Sequence, residues 1–348
     1  MSIAAKSIRA FARFLGVALA SVALGAAALA IAFVLAARPA EGIGSGSLFA
    51  VEKGDSVQDV AKSLEEKHLI RSAVAFRALA KLEGTGASLK AGTYRIEDGM
   101  DSKRIFDEFV SGKQALCKVT IPEGYTLSQV AKLLEKLGVA KSQDFLRAAN
   151  SPALLAELRI PASSVEGYLF PDTYFLPVEY SAELIIRSMV ETFRAKLASI
   201  PESASLSPSE LQERIILASI VEREYKSPSE APLMASVFYN RLKIRMALQS
   251  CATVVYVITE RQGKPHPDVI FDRDLKIDDP YNTYEHRGLP PGPISNPGLT
   301  SLEAVFYPAS SRYLYFRLVN QDEGTHHFSE TLEEHIESRM LFIKRVGI

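Results

Sequence analysis

Phe49–Glu65 reads FAVEKGDSVQDVAKSLE, and Val119–Glu135 reads VTIPEGYTLSQVAKLLE. The two align without a gap: Gly54 with Gly124, Val60 with Val130, Ala61 with Ala131, Lys62 with Lys132, Leu64 with Leu134 and Glu65 with Glu135. Each begins with alternating apolar residues, the period of a half-buried strand. A glycine turn follows, then an amphipathic run with the period of a helix. Ser56 and Thr126, two residues past the glycine, suit the N-cap position, where a side-chain oxygen satisfies a free helix N–H. A poorer third copy runs from Tyr94 to Phe109 and keeps Ile96, Gly99 and Ile105 in register. Repeated strand–turn–helix units point to an α+β architecture.

Upstream of the repeat, Phe14–Ala37 carries no charge. As a helix it would be about 36 Å long, enough to cross a hydrocarbon core of roughly 30 Å with some tilt. It is also longer than the apolar region of a cleaved signal peptide. Lys6, Arg9 and Arg13 precede it and only Arg38 follows closely. The positive-inside bias therefore predicts a cytoplasmic stub (1–13), a single transmembrane helix (14–37) and an exported remainder. Residues 38–47 are rich in Pro, Gly and Ser and read as a tether. The first and last copies of the repeat resemble the opening of a LysM module, a peptidoglycan-binding βααβ unit, so a small LysM-like α+β region is expected over 48–144. From about residue 145 the pattern changes to helices over 211–224 and 231–244, a Pro/Gly-rich loop over 278–298, a short strand near Tyr313–Val319 and a final helix over about 330–345. A larger mixed α+β domain over 145–348 is expected there.

Composition narrows the function. The 348 residues are 47% hydrophobic and 23% charged, as in a chain with a large packed core. The formal charge is −1. Without the stub's three cations, 37 basic residues face 41 acidic ones, −4 for the remainder. No basic field recruits nucleic acid. Two cysteines, Cys117 and Cys251, and no CxxC exclude a disulfide framework and a Cys-rich zinc site.

One carboxyl stands out. If Leu211–Tyr225 (LQERIILASIVEREY) is helical, steps of 100° place Glu224 between Leu217 and Ile220 beside Val221, whereas Glu222 falls between Ile215 and Ala218. A carboxyl among bulky apolar residues is desolvated and holds its proton nearer neutral pH, the state a general acid needs. A Glu paired with Arg223 or Arg241 would fit the same pattern.

The segments LASIVEREY (217–225), ASVFYNRLKIRMALQS (235–250), YNTYEHRGLPPGPISNPG (281–298), YPASSRYLYF (307–316) and GTHHFSETLEEH (324–335), with EGYLFPDTY (166–174), occur in this order. Together they are similar to the YceG/MltG family of membrane-anchored endolytic murein transglycosylases. The resemblance runs over nearly the whole chain. It implies lytic cleavage of the β-1,4 bond between N-acetylmuramic acid and N-acetylglucosamine in nascent glycan strands. A 1,6-anhydro end would form and elongation would terminate. The family's catalytic glutamate, the second Glu of E-[KR]-E-[TS], is Glu224 here. Asn240, Arg241 and Gln249 match F-x-N-R-L…L-Q, and Tyr281, Asn282 and Tyr284 precede the loop Gly288–Gly292. All six are expected to contact the glycan, as amides and tyrosine faces suit sugars. His326 falls in the family's H-x-F element and is expected at the groove. Glu166 and Asp172 flank an aromatic cluster and could orient substrate, although a turn-stabilising role accounts for them better. No metal and no cofactor is called for. The resemblance further implies an inner-membrane location with the catalytic domain in the periplasm, and elongation synthases as partners.

The chain departs from the pattern twice. Tyr225 stands where the family has Thr or Ser, and Gln249-Ser-Cys-Ala-Thr-Val254 replaces Q-[TS]-D-P-T-V. A rival reading, a zinc hydrolase using His326, His327 and His335, lacks both HExxH and HxH. A second rival is a non-catalytic glycan-binding scaffold.

Overall fold

The computed structural model describes residues 3–40, 42, 46–84 and 89–340. Tether positions 41 and 43–45 and residues 341–345 of the expected last helix lie outside them. The chain divides into two compact units, Met1–Leu116 and Cys117–Ile348.

The first unit begins with α1 (Ile3–Ala37). Over Leu19–Ala37 its mean hydropathy is 2.5, and none of that stretch is buried. By length and composition it is consistent with a single membrane anchor, since an outward apolar surface matches a lipid surround. There follow β1 (Ser47–Val51), α2 (Val57–Glu66), α3 (Ala73–Leu82), β2 (Gly92–Ile96) and α4 (Ser102–Ser111). Strands β1 and β2 pair antiparallel, from Ser47 opposite Ile96 to Val51 opposite Gly92. Between them and the helices Phe49, Phe76, Tyr94, Phe106 and Phe109 are buried. The Tyr94 and Phe109 rings lie 4.6 Å apart. Burying each such ring contributes about 1.5–3 kcal/mol, so this small unit holds together on a handful of aromatics.

The second unit opens with β3 (Leu116–Thr120), α5 (Leu127–Lys136), α6 (Ser142–Ala149), α7 (Pro152–Glu157) and β4 (Thr173–Pro177). Strands β3 and β4 pair. The repeat is thus a repeat of structure, and its two better copies sit in different units. Gly54 and Gly124 both take positive φ, 102° and 72°, which glycine alone adopts without strain. Ser56 and Thr126 are the N-caps of α2 and α5, each with a full capping box, through Asp59 and Gln129 respectively. The matched glutamates have one job: Glu65 accepts the Ala73 N–H and Glu135 the Ser142 N–H, each at 3.0 Å, at the start of the next helix. The third copy, β2–Gly99–α4, is capped by Asp101.

The second unit continues with α8 (Ala182–Leu197), α9 (Pro208–Val221), α10 (Ala231–Lys243), α11 (Cys251–Tyr256), α12 (Leu299–Phe306), the hairpin β5 (Tyr315–Asn320) and β6 (Thr325–Ser329), and α13 (Leu332–Glu337). A mixed α+β fold is what the sequence predicted. Helix α9 is its axis. Every residue from Ile215 to Val221 is buried, the mark of a helix packed on all sides. Ser207, Glu210 and Pro208 start it with a capping box and a proline in the first turn.

Helix α9 ends at Val221, three residues short of the expected limit. The side chains beyond it are drawn elsewhere. Glu222 accepts the Gly298 N–H at 2.9 Å and the Ser301 hydroxyl at 2.6 Å, capping α12. Arg223 donates to the Gly124 carbonyl at 3.1 Å. Pro228 forbids continuation soon after.

Candidate active site

Glu224 therefore sits on a tight turn, its N–H bonded to the Val221 carbonyl at 3.0 Å. The helical-wheel placement was not the route to burial. The turn aims the side chain at the start of α11, where the Ser250 hydroxyl donates to Oε1 and the Ala252 N–H lies near enough to lower the carboxyl's pKa. The residue keeps partial solvent access. Burial of the carboxyl raises its pKa above the usual carboxylate range. The two donors and the nearby Arg223 and Arg241 guanidiniums pull the other way. The carboxyl thus holds its proton more tightly than an ordinary one, while donors stand near its charged form.

Tyr284 and Cys251 share this neighbourhood, with the Tyr284 hydroxyl 3.1 Å from Cys251 Sγ. Burial raises both pKa values, and the Glu224 charge adds to the effect. Tyr281 stacks at 34° on Tyr256, ring centres 5.1 Å apart, under the Arg261 guanidinium. Helix α11 links the two places, with Glu224 at its first turn and Tyr256 at its last residue, roughly 8 Å along the axis. Gly292 of the Pro-rich loop lies so near Tyr281 that a Cβ there would be 2.8 Å from the phenol oxygen. Gln249 is exposed beside Ser250.

The other residues expected at the glycan make hydrogen bonds and ring contacts within the fold. Asn240 uses both amide N–H groups on the Ser311 and Tyr313 carbonyls, each at 3.0 Å. Arg241, 6% exposed, donates to Leu314 and Leu248 carbonyls at 2.6 Å each and faces the Tyr315 ring. Asn282 is fully buried and ties Leu275 and Ile277 to the loop at 2.9 and 2.8 Å. His326 Nδ1 lies 2.7 Å from Glu230, and its ring meets Phe316 edge-on. His327 pairs across the hairpin with Arg317, while His335 stacks on Tyr315. Tyr225 turns away from Glu224 to Ser301 and Thr300 at α12, and burial pushes its phenol up to about 12.

Glu166 is a second buried carboxyl, 4% exposed. Both its oxygens accept the Leu127 N–H at 2.9 Å, at the start of α5, and Asn296 donates at 3.1 Å. Burial pushes its pKa up to about 8. This is the turn-stabilising role. Asp172 bonds the Thr173 N–H at 2.7 Å, also a local turn contact.

Four residues went unnoticed in the sequence. Ser250, Thr253 and Thr283 form a buried hydroxyl cluster under Glu224. Asn296 accepts the Gly167 and Leu169 N–H groups and donates to Tyr125 and Glu166. Small hydroxyl residues leave no periodic trace, and Asn296-Pro-Gly signalled only a turn.

Fold and site together define a mixed α+β protein with a partly accessible, hydrogen-bonded carboxyl close to the Cys251–Tyr284 contact. The YceG-like family profile matches residues 49–339, and the chain belongs to that family. It is 33% identical over 312 residues to an endolytic murein transglycosylase of Bacillus subtilis, covering 84% of each chain. It is 31% identical over 315 residues to one from Streptococcus pneumoniae, covering 82% of this chain and 56% of that longer one. The crystal structure of a yceG-like protein, lmo1499 from Listeria monocytogenes, aligns with a TM-score of 0.56 at 36% identity, covering 84% of this chain and 99% of that one.

Proposed function

We propose that this chain is a membrane-anchored endolytic murein transglycosylase with Glu224 as its single acid and base. The observation that carries the reading is the Glu224 carboxyl, whose proton affinity is raised by burial while Ser250 and Ala252 stand ready to stabilise its anion. In the first half-reaction Glu224 protonates the glycosidic oxygen between N-acetylmuramic acid and N-acetylglucosamine, as oxocarbenium character develops at C1. In the second, the carboxylate takes the proton of the muramoyl 6-hydroxyl, whose oxygen closes on C1. The products are a free N-acetylglucosamine end and a 1,6-anhydromuramoyl end. The nucleophile belongs to the substrate, so neither water nor a second carboxylate takes part, and closure gains from proximity.

Gln249, Tyr281 and Tyr284 are proposed to touch the glycan, with Asn240, Arg241, Asn282 and His326 holding the walls that present them. The strand–helix–helix–strand order of β1, α2, α3 and β2 supports a LysM-like glycan-binding role for the first unit. Lys6, Arg9 and Arg13, at the N-terminal end of α1, support a cytoplasmic N-terminus, with the chain beyond α1 outside an inner membrane beside the synthases whose strands the enzyme terminates.

The test is mass analysis of peptidoglycan digests made by the full chain in detergent. Wild type is expected to release 1,6-anhydro-ended fragments, and Glu224→Gln none, while still binding sacculi. Reducing ends only would make the protein a hydrolase. Binding without any cleavage by wild type would make it a scaffold.

A further inference from the structure

The segment carrying Ser250 is pinned from below. The Gln249 N–H donates to the Thr283 carbonyl at 3.0 Å, and the Ser250 N–H to Thr283 Oγ1 at 3.1 Å. Thr253 Oγ1 donates to the Ser250 carbonyl at 2.7 Å, so it accepts from the Thr283 hydroxyl at 2.9 Å. Thr253, Thr283 and Ser250 are all buried. Gln249, just before them, is held at a φ of 50°, a left-handed backbone that persists in a residue with a Cβ only where its surroundings enforce it. Four bonds and one enforced dihedral thus fix where the Ser250 hydroxyl points, and it points at Glu224 Oε1.

The second donor arises from a departure noted in the sequence. Ala252 occupies the place of a proline in the resembled pattern, and proline has no N–H to give. This chain therefore offers the carboxylate the Ser250 hydroxyl, which bonds Oε1, and an Ala252 N–H close by.

We propose that Ser250 is a positioning residue for Glu224: locked by Thr253 and Thr283, its hydroxyl forms with the Ala252 N–H a two-donor cradle that stabilises the carboxylate between its two proton transfers. This rests on the reading of Glu224 as both acid and base. After the first transfer the residue is an anion in a partly apolar setting, and it must survive long enough to accept the 6-hydroxyl proton. Bonds to the charged form offset the desolvation it suffers. The other groups facing it are Arg223 on its own turn, Arg241 from α10, the Cys251 thiol on α11 and the Tyr284 phenol. None of these is altered in the variants below.

The test uses the full chain in detergent with isolated glycan strands, and reads two things. One is the pH profile for release of anhydro-ended product. The other is the Glu224 titration followed by 13C NMR of labelled carboxyls, assigned with Glu224→Gln. Ser250→Ala and Ala252→Pro each remove one donor, the second at a first-turn helix position that accepts proline. Both are expected to move the Glu224 midpoint and the alkaline limb of the rate profile to higher pH, with the rate lowered about ten-fold or more. Ser250→Thr is expected to restore both. Activity loss with an unmoved midpoint, or no rescue by Thr, overturns the cradle. Should Ser250→Ala fail to fold, Ala252→Pro makes the same decision. If Glu224→Gln stays active, the functional reading fails instead, while the NMR titration still decides the cradle.

Discussion

Glu166 and Glu224 are both carboxyls that burial drives toward the neutral form, yet they occupy opposite situations. Glu166 is sealed beneath the first turn of α5, and every partner it has is a group that needs an acceptor: the Leu127 N–H and the Asn296 amide. Glu224 lies past the end of α9, partly open to solvent, and its Ser250 donor comes from the start of α11. The contrast teaches that an upward-shifted carboxyl is not by itself a catalytic signal. Solvent access on one side, with a donor for the charge once the proton has gone, separates the two.

The sharpest way to break the comparison is to exchange the carboxyls for amides. Glu224→Gln is expected to cut the rate of glycan cleavage by about 10²–10⁴-fold with a Tm at or above wild type, whereas Glu166→Gln leaves measurable cleavage. Equal losses in a product assay would erase the distinction. Glu166→Ala, which strands the Leu127 N–H and the Asn296 amide, is expected to cost about 3 kcal/mol in denaturant unfolding of the second unit.

A pH series sharpens it further. Glu166 is raised to about 8 and Glu222 to about 7, so the folded state binds more protons than the unfolded chain above the ordinary carboxylate pKa of about 4.5. Stability from both is complete below that value and is lost as pH rises through their folded pKa values. The wild-type second unit should therefore lose stability between about pH 4.5 and 8, and Glu166→Gln should confine that loss to below about pH 7. A melting series in constant ionic strength reads this directly. The smallest effect concerns the two copies of the repeat. Ser56→Ala and Thr126→Ala each delete an N-cap, about 1 kcal/mol. The Thr126 change should cost more, because its hydroxyl also bonds Glu260 at 3.0 Å. Hydrogen exchange in α2 and α5 separates the two.

Much of the fold was legible because it is local. The glycine turns, the caps Ser56 and Thr126 and the apolar periodicity specify strand–turn–helix units wherever they occur. The apolar run of α1 declares itself by length. Legibility ended where partners came from far along the chain. The expected helix over 211–224 stops early because Gly298, Ser301 and Gly124 claim Glu222 and Arg223. Glu224 was thus singled out by a helical geometry that the structure does not have, and the resembled family motif carried the choice. Asn240, Arg241, Asn282 and His326 looked like sugar ligands because amides, guanidinium and imidazole suit that task. The structure commits their donors or ring to carbonyls, a carboxylate and aromatic faces.

The sequence by itself determined the elements, the apolar N-terminal helix and the repeat, since each depends on residues within a few turns of one another. Only the tertiary structure decided that the two copies of the repeat belong to different cores. Only it decided that Glu166 braces a helix while Glu224 meets Ser250 across 26 positions of chain. Burial and hydrogen-bond partners belong to the folded neighbourhood, and a carboxyl's chemistry is set by those partners rather than by its place in the chain.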